Sequence, residues 1–260
     1  MGTETTALVI DDVEVAFGAV KAVNGASFRL RGTEILGLLG QNGAGKTTLL
    51  NAVSRSVRHT RGHIEVLGRD VEQLKPYEVT RLGVSRTFQS VAVFGQLDAM
   101  QVGLLGTDFL GKATVVEHAL RLPRARRDER EATERVREAL DFVGFRAPVD
   151  RRLGELSYGQ AKLADLARAV SGRPRLMLLD EPAAGLNLGE RGVIAEAIEK
   201  VHSELDVPVV VIEHDIELMR RLCHRTVVMD SGRVIGDGPL DELLARPEVS
   251  ASLLGRAPAA

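Results

Sequence analysis

The strongest constraint on the fold is a glycine-rich segment that lies between a buried strand and a helix. Ile35–Leu39 is a nearly all-apolar run, as found in strands that are buried on both faces. The segment Gly40–Thr47 follows, and a helical pattern runs from about Lys46 to Val53. Glycines allow positive φ, so consecutive N–H groups of such a loop point inward. The strand–loop–helix order therefore predicts an α/β fold with an anion-binding loop.

This segment matches the pattern G-x-x-x-x-G-K-[ST], which is typical of loops that hold nucleotide phosphates. The helix N-terminus adds a partial positive charge beside the loop. Lys46 is expected to reach the β- and γ-phosphates, and the Thr47 hydroxyl is a hard oxygen ligand for Mg²⁺. The pattern thus predicts ATP with Mg²⁺ as the ligand. The residues expected to contact it here are Gly40, Asn42, Gly43, Gly45, Lys46, Thr47 and Thr48.

A second element consists of an apolar strand that ends in two carboxylates. The run Leu176–Leu179 is followed by Asp180 and Glu181. Adjacent carboxylates at the end of a buried strand are costly without a cation, so the pair itself indicates a metal. In phosphate-loop ATPases such an acid holds Mg²⁺ through water, which is the role expected of Asp180. Glu181 is placed to polarise the attacking water, and the sequence therefore predicts ATP hydrolysis.

With the segment Leu156–Gln160, which reads L-S-Y-G-Q, the chain resembles the nucleotide-binding subunits of ABC (ATP-binding cassette) transporters over about residues 7–255. In that family this signature caps the γ-phosphate held by the other subunit of a dimer. The resemblance implies that Ser157 contributes a hydroxyl, Gly159 a backbone N–H and the following helix its dipole. Gln160 is expected among the nucleotide-binding residues as well. Tyr158 stands where glycine is the commonest residue of the family.

Further positions match the family residue by residue. Phe17 resembles the aromatic residue that stacks on adenine. Gln89 resembles the glutamine that touches Mg²⁺ and senses the membrane partner. His214 resembles the switch histidine at the γ-phosphate, which gives the site a second catalytic residue beside Glu181. Asn187 occupies a position where most members carry aspartate, in the loop that crosses the dimer interface.

The expected fold class is α/β: a phosphate-loop NTPase core with an antiparallel β edge subdomain and a helical signature subdomain. Strand–helix alternation after Leu163 predicts parallel pairing. The chain is predicted to form a single nucleotide-binding domain over residues 1–260. Within it, 7–94 and 156–230 would form the ATPase core, 95–155 a helical insert, and 231–260 a C-terminal extension. The insert contains a charged amphipathic helix predicted over Arg124–Phe142.

The charge balance, the cysteine content and the length of the apolar runs limit what this chain can bind and where it can act. The 260 residues carry 34 basic and 36 acidic side chains, a balance that argues against a nucleic-acid binder. Cys223 is the only cysteine, so an intrachain disulfide is excluded, and we expect a buried, inert thiol. No apolar run reaches the roughly 18 residues of a membrane span. A function at the cytoplasmic face of the cell membrane would therefore require transmembrane permease partners.

The subfamily is indicated by Ser157–Gln160, Asp180–Asn187 and Ile212–Asp215, which closely resemble the ATPases of branched-chain amino acid importers. This resemblance implies permease subunits, a second ATP-binding subunit in a homo- or heterodimer, and a periplasmic or extracellular solute-binding protein. Leu97–Val102 departs from the pattern expected of that group. One alternative is a lipid or lipopolysaccharide exporter. Another is a non-transport ABC protein acting on ribosomes or DNA, which the single phosphate loop disfavours.

Overall fold

The computed structural model describes residues 6–107, 110–111, 117 and 122–253, which fall into two compact units. The first, called the core unit, comprises the described residues up to Arg86, together with 175–182 and those from His202 onward. The second, called the helical unit, comprises the described residues of 87–174 and 183–201. Within the described residues, no helix is long and apolar enough to cross a membrane.

A six-stranded sheet forms the centre of the core unit, with the strand order β10-β9-β3-β8-β7-β6. Strands β3, β6, β7, β8 and β9 pair in parallel with their neighbours in this group, whereas β10 pairs antiparallel to β9. Every residue of the three middle strands β3, β8 and β7 is buried, which explains their uninterrupted apolar sequence. The carboxyl ends of these parallel strands meet at one edge of the sheet. The strands are β3 (Ile35–Leu39), β6 (Val84–Arg86), β7 (Leu176–Asp180), β8 (Val209–Ile212), β9 (Arg225–Asp230) and β10 (Arg233–Gly238).

The predicted antiparallel edge is a separate four-stranded sheet with the order β2-β1-β4-β5. It contains two strands that the sequence analysis did not identify, because β4 and β5 are short and carry little alternation. Both sheets contribute to one apolar core, in which Ile10 and Ile64 share a cluster with Leu38 and with Leu49 of the first core helix. The strands are β1 (Thr6–Phe17), β2 (Val20–Arg31), β4 (Arg61–Val66) and β5 (Arg69–Asp70).

The core unit also contains α-helices. The first, Lys46–Val53, follows the glycine-rich loop directly and is called the phosphate helix. Strand β10 lies inside the region predicted as a C-terminal extension, and its pairing with β9 makes it part of the main sheet. The remaining α-helices are Pro76–Arg81, Ile216–Leu222, Leu240–Leu244 and Pro247–Leu253, and a 3-10 turn spans Val71–Gln73.

The helical unit is built around Tyr158–Ser171, called the signature helix. The sequence-based division placed this helix in the ATPase core, whereas its contacts group it with the helical unit. Ser171 Oγ donates to the carbonyl of Gly103 at 3.0 Å, and a Cβ on Gly103 would meet Val136 at 2.2 Å, so the helices pack closely. The other elements are Ala99–Leu105, Pro123–Phe142, the part of Leu188–Leu205 up to Val201, and 3-10 turns at Val91–Phe94 and Leu153–Glu155.

Candidate nucleotide-binding site

The phosphate loop has a conformation that requires glycine at two positions. Gly43 and Gly45 have φ values of 84° and 97°, in the left-handed region that side chains with a Cβ disfavour. A Cβ on Gly45 would lie 2.2 Å from the carbonyl oxygen of Ala22, so this position also lacks space. The loop therefore combines positive φ with close packing against β2, as expected of a preformed phosphate cradle.

Lys46 begins the phosphate helix and is only 5% exposed. Its Nζ donates hydrogen bonds to the carbonyl oxygens of Gly40 and Gln41, at 2.7 and 2.9 Å. These bonds hold the ammonium group over the loop. Burial lowers the pKa of Lys46, while the nearby Glu181 and Asp180 carboxylates oppose that shift. The loop thus presents a partly desolvated cation, which is suited to bind phosphate oxygens.

Asp180 is the last residue of β7 and is almost completely buried. Its Oδ1 accepts a long hydrogen bond from Thr47 Oγ1 at 3.4 Å. Its Oδ2 accepts from Arg86 Nη2 at 2.9 Å. The structure therefore brings the predicted metal ligands Thr47 and Asp180 together. It also adds Arg86, which sequence reasoning did not assign to the site.

Glu181 follows β7 with a φ of 51°, a left-handed conformation that costs a non-glycine residue roughly 1–3 kcal/mol. Its N–H donates to the carbonyl of Ile212 at 2.9 Å, which fixes the turn against the end of β8. Its Oε1 lies 3.0 Å from His214 Nε2. The two predicted catalytic residues therefore form a contact at the edge of the sheet, and the backbone strain at Glu181 fits a functional position.

Phe17 ends β1 opposite Val20, and both side chains are more than half exposed. The Phe17 side chain is 54% exposed, so about half of it is available for contact with a ligand. It offers an apolar face on which a base could stack, as predicted for adenine.

The signature residues lie at the start of the signature helix. Ser157 is its N-cap, and its Oγ accepts a hydrogen bond from Gln160 N at 3.2 Å. Gln160 Oε1 accepts from the backbone N–H groups of Arg146 and Ala147 at 3.0 and 3.2 Å. This side-chain oxygen thus fixes a loop of the helical unit, and the contact of Gln160 with a nucleotide stays a prediction.

Gly159 and Asn187 both lie close to the side chain of Glu190. A Cβ on Gly159 would lie 2.7 Å from Glu190 Oε1, so a larger residue there would have to displace the Glu190 side chain. Asn187 Oδ1 accepts from Glu190 N at 3.0 Å, and Asn187 Nδ2 donates to Glu190 Oε2 at 2.9 Å. Asn187 thus caps the helix Leu188–Leu205 as an aspartate would.

Gln89 lies in the helical unit, where two buried charges of the signature helix hold its segment. Lys162 Nζ donates to the carbonyl of Gln89 at 2.9 Å. Asp165 Oδ2 accepts from Phe88 N at 2.8 Å, and Asp165 Oδ1 accepts from Arg168 Nε at 2.8 Å. Sequence reasoning missed these residues. The available signal was the presence of charged residues at helical spacing on an otherwise apolar helix.

The fold and the site together define a class. A phosphate loop follows the central strand β3, and a carboxylate pair ends β7 of the same parallel sheet. This arrangement is that of a phosphate-loop nucleotide-binding ATPase.

Comparison with known proteins identifies the family. Residues 23–184 match the model of the ABC transporter family. The branched-chain amino acid transport ATP-binding protein BraF of Pseudomonas aeruginosa is 34% identical over 250 residues, covering 96% of this chain and 98% of that protein. Its counterpart LivG of Escherichia coli is 31% identical with the same coverage. The solved cassette MJ1267 is 26% identical with a TM-score of 0.81, covering 95% and 98% of the two chains. The chain belongs to the ABC transporter family, and it is an ATPase of that family.

Proposed function

We propose that this chain is the ATP-hydrolysing subunit of an importer of branched-chain amino acids or related small polar solutes. The observation that carries the proposal is its similarity to BraF and LivG along 96% of its length. Both are named as high-affinity branched-chain amino acid transport proteins. These comparisons give no support for the exporter alternative.

The ligand proposed for the site is ATP with Mg²⁺. The donor set fits this ion, because the Thr47 hydroxyl and the Asp180 carboxylate are hard oxygen ligands that lie side by side at 3.4 Å. Gln89 is proposed as a further ligand. When bound, Mg²⁺ would neutralise charge on the β- and γ-phosphates. The phosphate loop, Lys46 and Thr48 would bind the same phosphates, with Phe17 stacked on the adenine.

The hydrolytic step is assigned to the chain's own residues at the edge of the sheet. Glu181 orients the attacking water and accepts its proton, which is general-base catalysis. His214 holds the Glu181 carboxylate through the 3.0 Å contact and is proposed to contact the γ-phosphate. Because the backbone of Glu181 is left-handed, its side chain does not take the direction that a regular β-strand would give it.

Completion of the site is proposed to require a second ATP-binding subunit. Ser157 and Gly159 would approach the γ-phosphate held by the partner, aided by the N-terminus of the signature helix. The dimer would act with permease subunits at the cytoplasmic face of the membrane. A solute-binding protein outside the membrane would deliver the cargo, and no nucleic acid would be involved.

Reconstitution tests this function. The chain, co-expressed with the membrane subunits and solute-binding protein of its own gene cluster, is placed in proteoliposomes with ATP. We expect ATP-dependent uptake of radiolabelled leucine, isoleucine or valine, with loss of uptake in Glu181→Gln. Glu134→Gln, an exposed carboxylate of the helical unit, serves as the matched control. ATPase activity that responds to lipid and not to amino acids would contradict import and support the exporter.

A further inference from the structure

Arg86 ends β6 and ties three elements of the core unit together. Its Nη2 donates to Asp180 Oδ2 at 2.9 Å, at the end of β7. Its Nη1 donates to Asn51 Oδ1 at 2.6 Å and to Ser54 Oγ at 3.3 Å. Asn51 belongs to the phosphate helix, and Ser54 is its C-cap. The guanidinium thus connects the strand that carries the metal-binding acid to the helix that carries the phosphate loop residues.

The two oxygens of Asp180 have different surroundings. Oδ2 is bound by Arg86, whereas Oδ1 faces the hydroxyl of Thr47 at 3.4 Å. A carboxylate rotates easily about its terminal bond, so a fixed partner on one oxygen determines where the other points. The guanidinium therefore directs Oδ1 toward Thr47, the other proposed Mg²⁺ ligand.

We propose that Arg86 is a positioning residue of the magnesium site, which holds Asp180 with Oδ1 toward the cation and is itself held by Asn51. The inference rests on the proposed binding of Mg²⁺ with ATP. This positioning role requires an arginine, because the planar guanidinium donates to Asp180 and to Asn51 from two separate nitrogens. A lysine at this position would keep the charge but present a single nitrogen.

Arg86 could orient Asp180 or could only balance its charge, and the two roles predict opposite effects of removing Arg86 on Mg²⁺ affinity. If Arg86 only balanced the buried charge of Asp180, its removal would leave a stronger negative field and would tighten Mg²⁺ binding. If Arg86 orients Asp180, its removal releases the carboxylate and weakens Mg²⁺ binding. Residues that orient metal ligands in this way typically contribute about 10–100-fold to metal affinity.

The experiment measures binding of a fluorescent ATP analogue as Mg²⁺ is titrated, and separately in excess EDTA. Arg86→Lys and Asn51→Ala retain every charge, and Arg86→Met removes one. We expect all three variants to raise the half-saturating Mg²⁺ concentration, by about tenfold or more for the Arg86 variants. Binding in EDTA should stay within about threefold of the wild type, because the phosphate loop is unchanged. Arg127→Lys, at an exposed ion pair of the helical unit, is the control.

The results separate the possible failures. If Arg86→Met tightens Mg²⁺ binding, or if Arg86→Lys and Asn51→Ala match the wild type, Arg86 is only a countercharge and the inference is overturned. If Mg²⁺ does not affect binding by the wild type, the proposed metal site itself is wrong. Thermal unfolding in EDTA checks the fold of each variant. Should Arg86→Met fail to fold because Asp180 loses its partner, the two charge-retaining variants decide the question.

Discussion

His214 Nε2 lies 3.0 Å from Glu181 Oε1, although the two residues are separated by 33 positions in the chain. Glu181 follows strand β7, and His214 lies two residues after strand β8. Because β7 and β8 are parallel neighbours, their carboxyl ends place both side chains at the same edge of the sheet. The proximity of this proposed catalytic pair is therefore a product of strand order, and its geometry leads to the first two predictions.

We predict that Glu181→Gln retains ATP binding and slows turnover by about 10²–10⁴-fold, because an amide accepts a proton far less readily than a carboxylate. With hydrolysis blocked, ATP-bound dimers should accumulate. A phosphate-release assay and gel filtration with ATP measure the two effects. Turnover near the wild-type rate would move the general base to another residue.

We predict that His214→Ala also slows turnover, by about 10²-fold or more, because Glu181 loses the partner that holds its carboxylate. Residues that act as a unit are non-additive. The double variant Glu181→Gln/His214→Ala should therefore be no more than about threefold slower than the slower single variant. Steady-state kinetics on the four proteins measure this coupling. Fully additive losses would show that the two residues act independently.

We predict that Lys46→Ala weakens ATP binding by roughly 30-fold to several-thousand-fold. The variant loses charge-assisted hydrogen bonds in a desolvated site, at a cost of about 2–5 kcal/mol. Titration with a fluorescent ATP analogue gives the affinity. Lys21→Ala, at an exposed ion pair with Glu14, is the control and should bind normally. An affinity of Lys46→Ala within about threefold of the wild type would contradict the assignment of the loop.

We predict that Ser157→Arg blocks hydrolysis at every protein concentration while each monomer still binds ATP. The arginine places bulk and charge where the partner's nucleotide is expected. Ser157 is also an N-cap, whose loss costs about 1 kcal/mol of stability. Ser157→Asn retains a capping oxygen and serves as the control for that loss. Normal hydrolysis by Ser157→Arg would rule out a signature that acts across a dimer.

Cys223 is partly exposed, and not fully buried as the sequence predicted. We predict that its thiol is still unreactive in the folded chain, because desolvation raises the pKa of the thiol to about 12 from an ordinary value of 9.0. At pH 8 this lowers the thiolate fraction by about 1,000-fold, since each pKa unit is a factor of ten. Reaction with a disulfide reagent in native buffer and in guanidinium chloride compares the two states. If the thiol reacts at rates within about tenfold of each other in the native and the denatured chain, this prediction is wrong.

The same pKa shift sets a pH dependence of stability. Below about pH 9 the thiol is protonated in both the folded and the unfolded chain, so its contribution to stability is fully present. Between about pH 9 and 12 the unfolded chain ionises first, and the free energy of unfolding falls. Cys223→Ala should show a smaller loss of stability over this interval in denaturant titrations.

The sequence alone predicted the elements whose chemistry is encoded locally. The phosphate loop and the carboxylate pair at the end of β7 each depend on a short run of residues, so their patterns were sufficient. The strands β3 and β7 were predicted because complete burial imposes an apolar sequence. The short strands β4 and β5 were missed, since half-exposed strands of few residues have little periodicity.

Tertiary structure alone decided which distant residues meet. Arg86 binds Asp180 across 94 positions, and no local pattern indicates that pair. Gln160 matched a family signature, yet its side-chain oxygen binds the backbone after the helix Pro123–Phe142. Such contacts depend on strand order and helix packing, which bring together side chains that are remote in sequence. The sequence therefore determined the chemistry that is available at the edge of the sheet. The packing of strands and helices determined which of those groups act together.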